Sequence, residues 1–154
     1  MLRQSFLINI QNQLKMKKAI FFISLGIMAL ASQSFKQANS NSLSNGKNVY
    51  ETYCMSCHMD NGAGVPGAFP SLVKTGNLAD KNRLVKVILQ GVRGPINVKG
   101  TKYDGEMASI SLSDKETADV INYIRNSWGN KAPMITVAEV AAAKKAVVKG
   151  YQPY

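Results

Sequence analysis

Two cysteines and one histidine are all that the 154-residue chain has of those residues, and they stand within five positions, Cys54-Met-Ser-Cys57-His58. A scaffold stapled by several disulfides is excluded, because two cysteines make at most one bridge. A zinc site built from four Cys and His ligands is excluded, because only three such ligands exist. Any mechanism that needs two histidines is excluded with them. The length allows one core rather than two, and 45% hydrophobic with 18% charged residues argues against global disorder.

Apolar periodicity divides the chain into short helices joined by long loops. Ser44 is placed to cap a first helix over about Asn45 to Cys57, where Val49, Tyr53 and Cys57 recur at i, i+4, i+8 beside Tyr50 and Cys54. Asp60 to Pro70, with Gly62, Gly64, Gly67, Pro66 and Pro70, reads as a wrapped loop. Leu84, Val85, Ile88 and Leu89 give the buried face of a second helix over about Leu78 to Gln90, capped by Asn77 and ended by Gly91. Gly94 to Met107 again reads as loop. Ser113-Asp-Lys-Glu116 is a capping box that starts a third helix running to about Trp128, and Thr136-Val-Ala-Glu139 repeats the device before an Ala-rich helix to about Val148. Strand signals are weak throughout. The expectation is an all-α fold of three to four short helices with long loops, and a core thin enough to leave room for something besides side chains.

C-x-x-C-H is the attachment pattern of haem c. Two thiols at this spacing add across the vinyl groups on one porphyrin edge, and the histidine that follows is brought beneath the iron. A bound porphyrin would also account for the thin core. Two other uses of the cysteines are weaker. A redox dithiol opens a helix after a strand, whereas this pair closes a helix with no βαβ pattern around it. A Cys54–Cys57 disulfide would close too short a loop to stabilise much. The expected cofactor is therefore one haem c, covalent through Cys54 and Cys57, with His58 as an iron ligand.

With no second histidine, the opposite iron position falls to another residue type. Met55 and Met59 flank the motif and cannot reach the far face, and Met134 lies beyond the third helix. Met107 sits in a Gly-rich stretch just before that helix and is the candidate sixth ligand, a soft thioether that favours the ferrous state. The alternative is that Met107 fills a gap in the core while water or a lysine takes the position.

The segment from about Asn45 to Asn130 resembles a class I cytochrome c domain. Asn45-Gly-Lys-Asn-Val-Tyr-Glu51 is similar to the family's first helix, with Gly46 and Tyr50 at the crossing with the last helix and Val120 and Tyr123 on its other side. Gly62 to Leu72 resembles the loop beneath the haem, and Pro70 falls where a proline carbonyl accepts the N–H of the ligand histidine. Gly94 to Met107 resembles a bacterial subfamily's distal loop, and Asp114 to Asn130 its C-terminal helix. One departure is Ala108, where the family usually has proline after the ligand methionine. The resemblance implies a small cytochrome c fold wrapped around one covalent haem, with Cys54, Cys57, His58, Pro70 and Met107 binding the cofactor and His58 and Met107 on the metal.

With both axial positions filled, such a centre carries one electron and has no place for a substrate, so the expectation is an electron-transfer protein and not an enzyme. The alternatives are a haem-bearing subunit of a periplasmic oxidoreductase complex, an open-site haem enzyme using Tyr103 or Arg93, and a sensor. Tyr103 and Arg93 read more simply as packing or propionate contacts, and no output domain accompanies the haem segment.

Met16-Lys17-Lys18 before the apolar run Ala19 to Ala31 looks like a secretory signal over residues 16–34, cut after Ala31 or Ser34. The thirteen-residue run is short for a membrane span, and an uncleaved anchor is the competing reading. Residues 1–15 read as an upstream extension from a misplaced start, 35–44 as a flexible linker, 45–130 as the haem domain and 131–154 as a tail with a short helix. Export implies a periplasmic location. Loss of Arg3, Lys15, Lys17 and Lys18 with the leader leaves 15 basic against 9 acidic residues, so the formal charge falls from +10 to +6. The basic residues are spread rather than interleaved with aromatics, which argues against nucleic acid. Lys74, Lys81, Arg83, Lys86, Arg93, Lys99 and Lys102 are either a solvated surface or a rim that steers an acidic redox partner. Expected partners are a dehydrogenase, an oxidase or a reductase, met as a free monomer or within a complex.

Overall fold

A computed structural model describes residues 39–154, and the expected start-site extension, signal and first part of the linker lie outside them. Helix α1 occupies 39–53. Residues 39–44, expected in a flexible linker, are helical instead. Their polar composition is overridden by a tertiary tether: the Ser42 hydroxyl donates to Asp119 Oδ1 at 2.6 Å and accepts from Asn122 Nδ2 at 3.1 Å. The chain breaks helical geometry at Cys54 and resumes as α2, Met55–His58. That break turns one expected helix into two and brings the number of α-helices to five among the described residues.

Helix α3, Lys81–Gln90, starts later than expected, because Asp80 and not Asn77 caps it, accepting from the N–H groups of Asn82 and Arg83. Asn77 lies in a 3-10 turn, Gly76–Leu78, capped by Thr75. Both capping boxes form: Ser113 with Glu116 opens α4, Asp114–Asn126, and Thr136 with Glu139 opens α5, Val137–Lys145.

The expected loop between Gly94 and Met107 is a β-hairpin. Strand β1, Val92–Val98, pairs antiparallel with β2, Thr101–Met107, in a register that sets Val92 opposite Met107 and Ile96 opposite Tyr103. Lys99 and Gly100 form a two-residue turn with φ of 52° and 82°, and the Gly100 N–H donates to Asn97 Oδ1 at 2.9 Å. Positive φ at both central residues is the type I′ requirement, which matches the twist of the strands it joins. The small sheet adds to a mainly helical fold and leaves its class unchanged.

The core is built where α1, α3, α4 and α5 converge, around Tyr50, Val85, Val120, Ile121 and Val140. At the crossing of α1 and α4 a Cβ on Gly46 would lie 2.0 Å from the Asp119 carbonyl oxygen, so only glycine permits this approach. Beside it Tyr50, Tyr123 and Trp128 pack ring to ring at 5.0–5.5 Å. The tail is part of the core: Val140 and Ala143 of α5 are buried, and ion pairs Lys81–Glu139 and Lys144–Asp114 fasten the helix at both ends. Among the described residues no helix is long and apolar enough to cross a membrane.

The Lys81 ammonium, with the Thr136 N–H and hydroxyl, holds the Glu139 carboxyl down to about 2 from 4.5. A depressed carboxyl adds stability that is whole above the unfolded value and lost as pH falls through the folded one. The stability difference between the parent and Lys81→Met is therefore expected to shrink as pH falls below 4.5 and to vanish only once pH is below about 2. It should also be small and salt-sensitive, since the pair is exposed. Urea midpoints along a pH series check this; a difference constant across the series would contradict it.

Candidate haem site

His58 ends α2, and the loop that follows is folded back onto it. Met59 takes a left-handed φ of 64° and reverses the chain. The Gly64 N–H then donates to the His58 carbonyl at 3.0 Å, and Leu72 N–H closes onto Gly62 O at 2.8 Å. The outcome is a bond from the His58 Nδ1–H to the Pro70 carbonyl at 2.9 Å. This is the contact that the resemblance implies for Pro70. Gly64 makes this possible: its φ is +67°, and a Cβ there would fall 2.3 Å from Phe69 O and 2.7 Å from Pro70 O. Its role was legible only as one glycine among several.

The Pro70 bond engages Nδ1, which fixes the tautomer and leaves the Nε2 lone pair for a metal. Burial outweighs that bond and lowers the imidazole's pKa, so the ring is held neutral, the form that ligates.

Cys54 is buried, Cys57 is half-buried, and both thiols are free. Burial first, and the neighbouring Cys57 second, push the Cys54 thiol up to about 11. Reactive dithiol sites show the opposite shift, because they stabilise thiolate. A raised Cys54 thiol does not suit a redox dithiol. Around the motif the chain leaves apolar surface uncovered, with Met55, Val65 and Phe69 each more than a third exposed. Paired thiols, a neutral imidazole with one free nitrogen and uncovered apolar surface fit a covalently bound porphyrin.

Met107 is the last residue of β2 and is half-buried. Side chains alternate across a strand, so Met107 and the buried Tyr103 share the inward face of the hairpin, with Gly105 between them. Arg93 lies opposite Glu106, and both are exposed on the other face. It is not a group that shares the surface of Met107.

Part of the basic surface is used internally. Lys81 pairs with Glu139, and Lys86 Nζ donates to the Lys144 carbonyl at 3.1 Å. Arg93, Lys99 and Lys102 remain exposed on the hairpin.

The family model for cytochrome c matches residues 43–128. A cytochrome c-552 of Thermus thermophilus is 38% identical over 148 residues, covering 90% of this chain and 81% of the relative. The cytochrome c subunit of a quinone alcohol dehydrogenase from Gluconacetobacter polyoxogenes is 40% identical over 99 residues, 62% of this chain but 21% of that protein. The cytochrome c subunit of a gluconate 2-dehydrogenase from Pantoea cypripedii is 32% identical over 106 residues, 65% of this chain and 24% of the relative. With the attachment motif at 54–58, the histidine fixed by Pro70 and the family match over more than half its length, the chain belongs to the cytochrome c family.

Proposed function

We propose that this chain is an exported carrier of single electrons, with one haem c attached through Cys54 and Cys57 and ligated by His58 and Met107. Haem c, when bound, supplies a one-electron iron couple. The chain holds the His58 imidazole neutral and oriented through Pro70, would offer a thioether from the hairpin, and leaves Met55, Val65 and Phe69 exposed as apolar surface that a porphyrin would cover. The observation that carries this reading is the Nδ1–Pro70 bond, which leaves one nitrogen of the only histidine free beside two free thiols. Electron transfer needs no substrate site, and the family assignment makes the protein an electron-transfer protein rather than a catalyst.

The test is the spectrum of the oxidised protein. A methionine-to-iron charge-transfer band is expected, and Met107→Ala should abolish it. That variant should also bind imidazole at least about 100-fold more tightly, because the site is then open in nearly every molecule. A high-spin ferric spectrum in the parent would favour the open-site reading instead.

Dehydrogenase-bound relatives support a dehydrogenase as the electron donor, met in the periplasm either freely or within a complex. The exposed cations Arg93, Lys99 and Lys102 suit an acidic docking face. The rate of electron transfer from such a donor is expected to fall steeply with ionic strength, and a flat response would remove the steering role.

A further inference from the structure

The last seven residues make a set of contacts that the haem motif does not require. The Tyr151 hydroxyl lies 2.5 Å from the Gly91 carbonyl and 3.0 Å from the Lys86 carbonyl. The Arg93 N–H donates to the Gln152 carbonyl at 3.2 Å, and the Tyr154 N–H donates to the Gln90 carbonyl at 3.3 Å. Three of the four contacts fall on Gln90, Gly91 and Arg93, where α3 ends and β1 begins, and the fourth reaches back to Lys86 within α3. Gln90 to Arg93 is the root of the hairpin, and Val92 within it is the direct partner of Met107.

Gly91 transmits the contact. A Cβ on Gly91 would fall 2.5 Å from the Met107 carbonyl oxygen and 2.6 Å from Tyr154 Cβ. Gly91 therefore lies close against both the Met107 backbone and Tyr154, with no room for a side chain. On the far side the Ile110 N–H donates to the Ile88 carbonyl at 2.8 Å and closes the hairpin root against α3. Burial raises the Tyr151 hydroxyl pKa, so it stays a donor across the neutral range.

We infer that the C-terminal segment 148–154 is a positioning strap for Met107: by clamping Gly91 and Arg93 it holds the hairpin root, and with it the residue that would supply the thioether. The inference rests on the Met107 ligation proposed above. Ala108, directly after Met107, puts no proline-type backbone restraint on the chain there. The chain after the ligand is not stiffened locally, and the constraint is supplied from the opposite strand.

The test uses the haem-loaded full-length protein, Tyr151→Phe, and a chain ending at Val148. Ferric-state imidazole affinity reports how readily Met107 leaves the iron, and denaturant midpoints report global stability. Truncation is expected to raise imidazole affinity about tenfold, with Tyr151→Phe moving in the same direction by a smaller factor. An unchanged affinity alongside a lowered denaturant midpoint would overturn the inference, because a strap that only stabilises the fold acts that way. If the truncated chain does not accumulate, Tyr151→Phe decides alone, and its affinity within error of the parent's counts against the strap. Absence of the charge-transfer band in the unaltered protein is a different failure: it removes Met107 as ligand, and the strap's role with it.

Discussion

Replacing both Cys54 and Cys57 by alanine is expected to give a protein whose haem is removed completely by acidified acetone, whereas the parent retains all of it. Helices here are short, and α2 has no buried residue of its own. Cys54 belongs to the core cluster beside Tyr50, so the attachment site and the folding core share a residue. A covalently tethered porphyrin is available to the folded core at any dilution, whereas in the double variant only free haem can bind, and it stabilises only by mass action. The double variant should therefore lose its haem stain on a denaturing gel and much of its denaturant resistance as well. A stained band in the variant would refute covalent attachment through these thiols.

Gly46→Ala is expected to be the most damaging single-methyl addition in the described chain, costing about 3 kcal/mol by the overpacking rule. The added Cβ would sit 2.0 Å from Asp119 O and 2.8 Å from Tyr123 Cβ, and neither neighbour is the end of a flexible side chain. The helices can relieve the clash only by separating. That would loosen the Tyr50–Tyr123–Trp128 cluster and the Ser42–Asp119 tether together. Gly76→Ala is the control: nothing lies within 4 Å of a Cβ there, and a change within about 0.5 kcal/mol is expected. Urea midpoints of the two variants settle it, and equal midpoints would show that the crossing is not the tight point.

The helical part of this fold was legible because its signals are local. A capping box needs only four residues, and both that the sequence announces, at Ser113 and Thr136, are formed. The hairpin was not legible, because its turn is Lys99-Gly100 rather than the Asn-Gly that announces a type I′ turn, and because β1 carries Gly94 and Pro95 in its middle. Residues 39–44 misled for a related reason: a Ser/Asn-rich stretch has no helical pattern, and its helix depends on Asp119 and Asn122, some eighty residues away.

By itself the sequence determined the chemistry. Three residues at C-x-x-C-H spacing cannot be rearranged by folding, so the cofactor class was legible from covalent connectivity, and the expectation of His58 as iron ligand came with it. Tertiary structure decided what holds that chemistry in place. It set which carbonyl meets His58 and which face of the hairpin carries Met107. Pro70, Tyr103 and Tyr151 act across 12 residues to His58, across strand pairing, and across 60 residues to Gly91. Contacts at such separations depend on the close approach that Gly46, Gly64 and Gly91 permit. A glycine in a sequence does not say what will be brought against it.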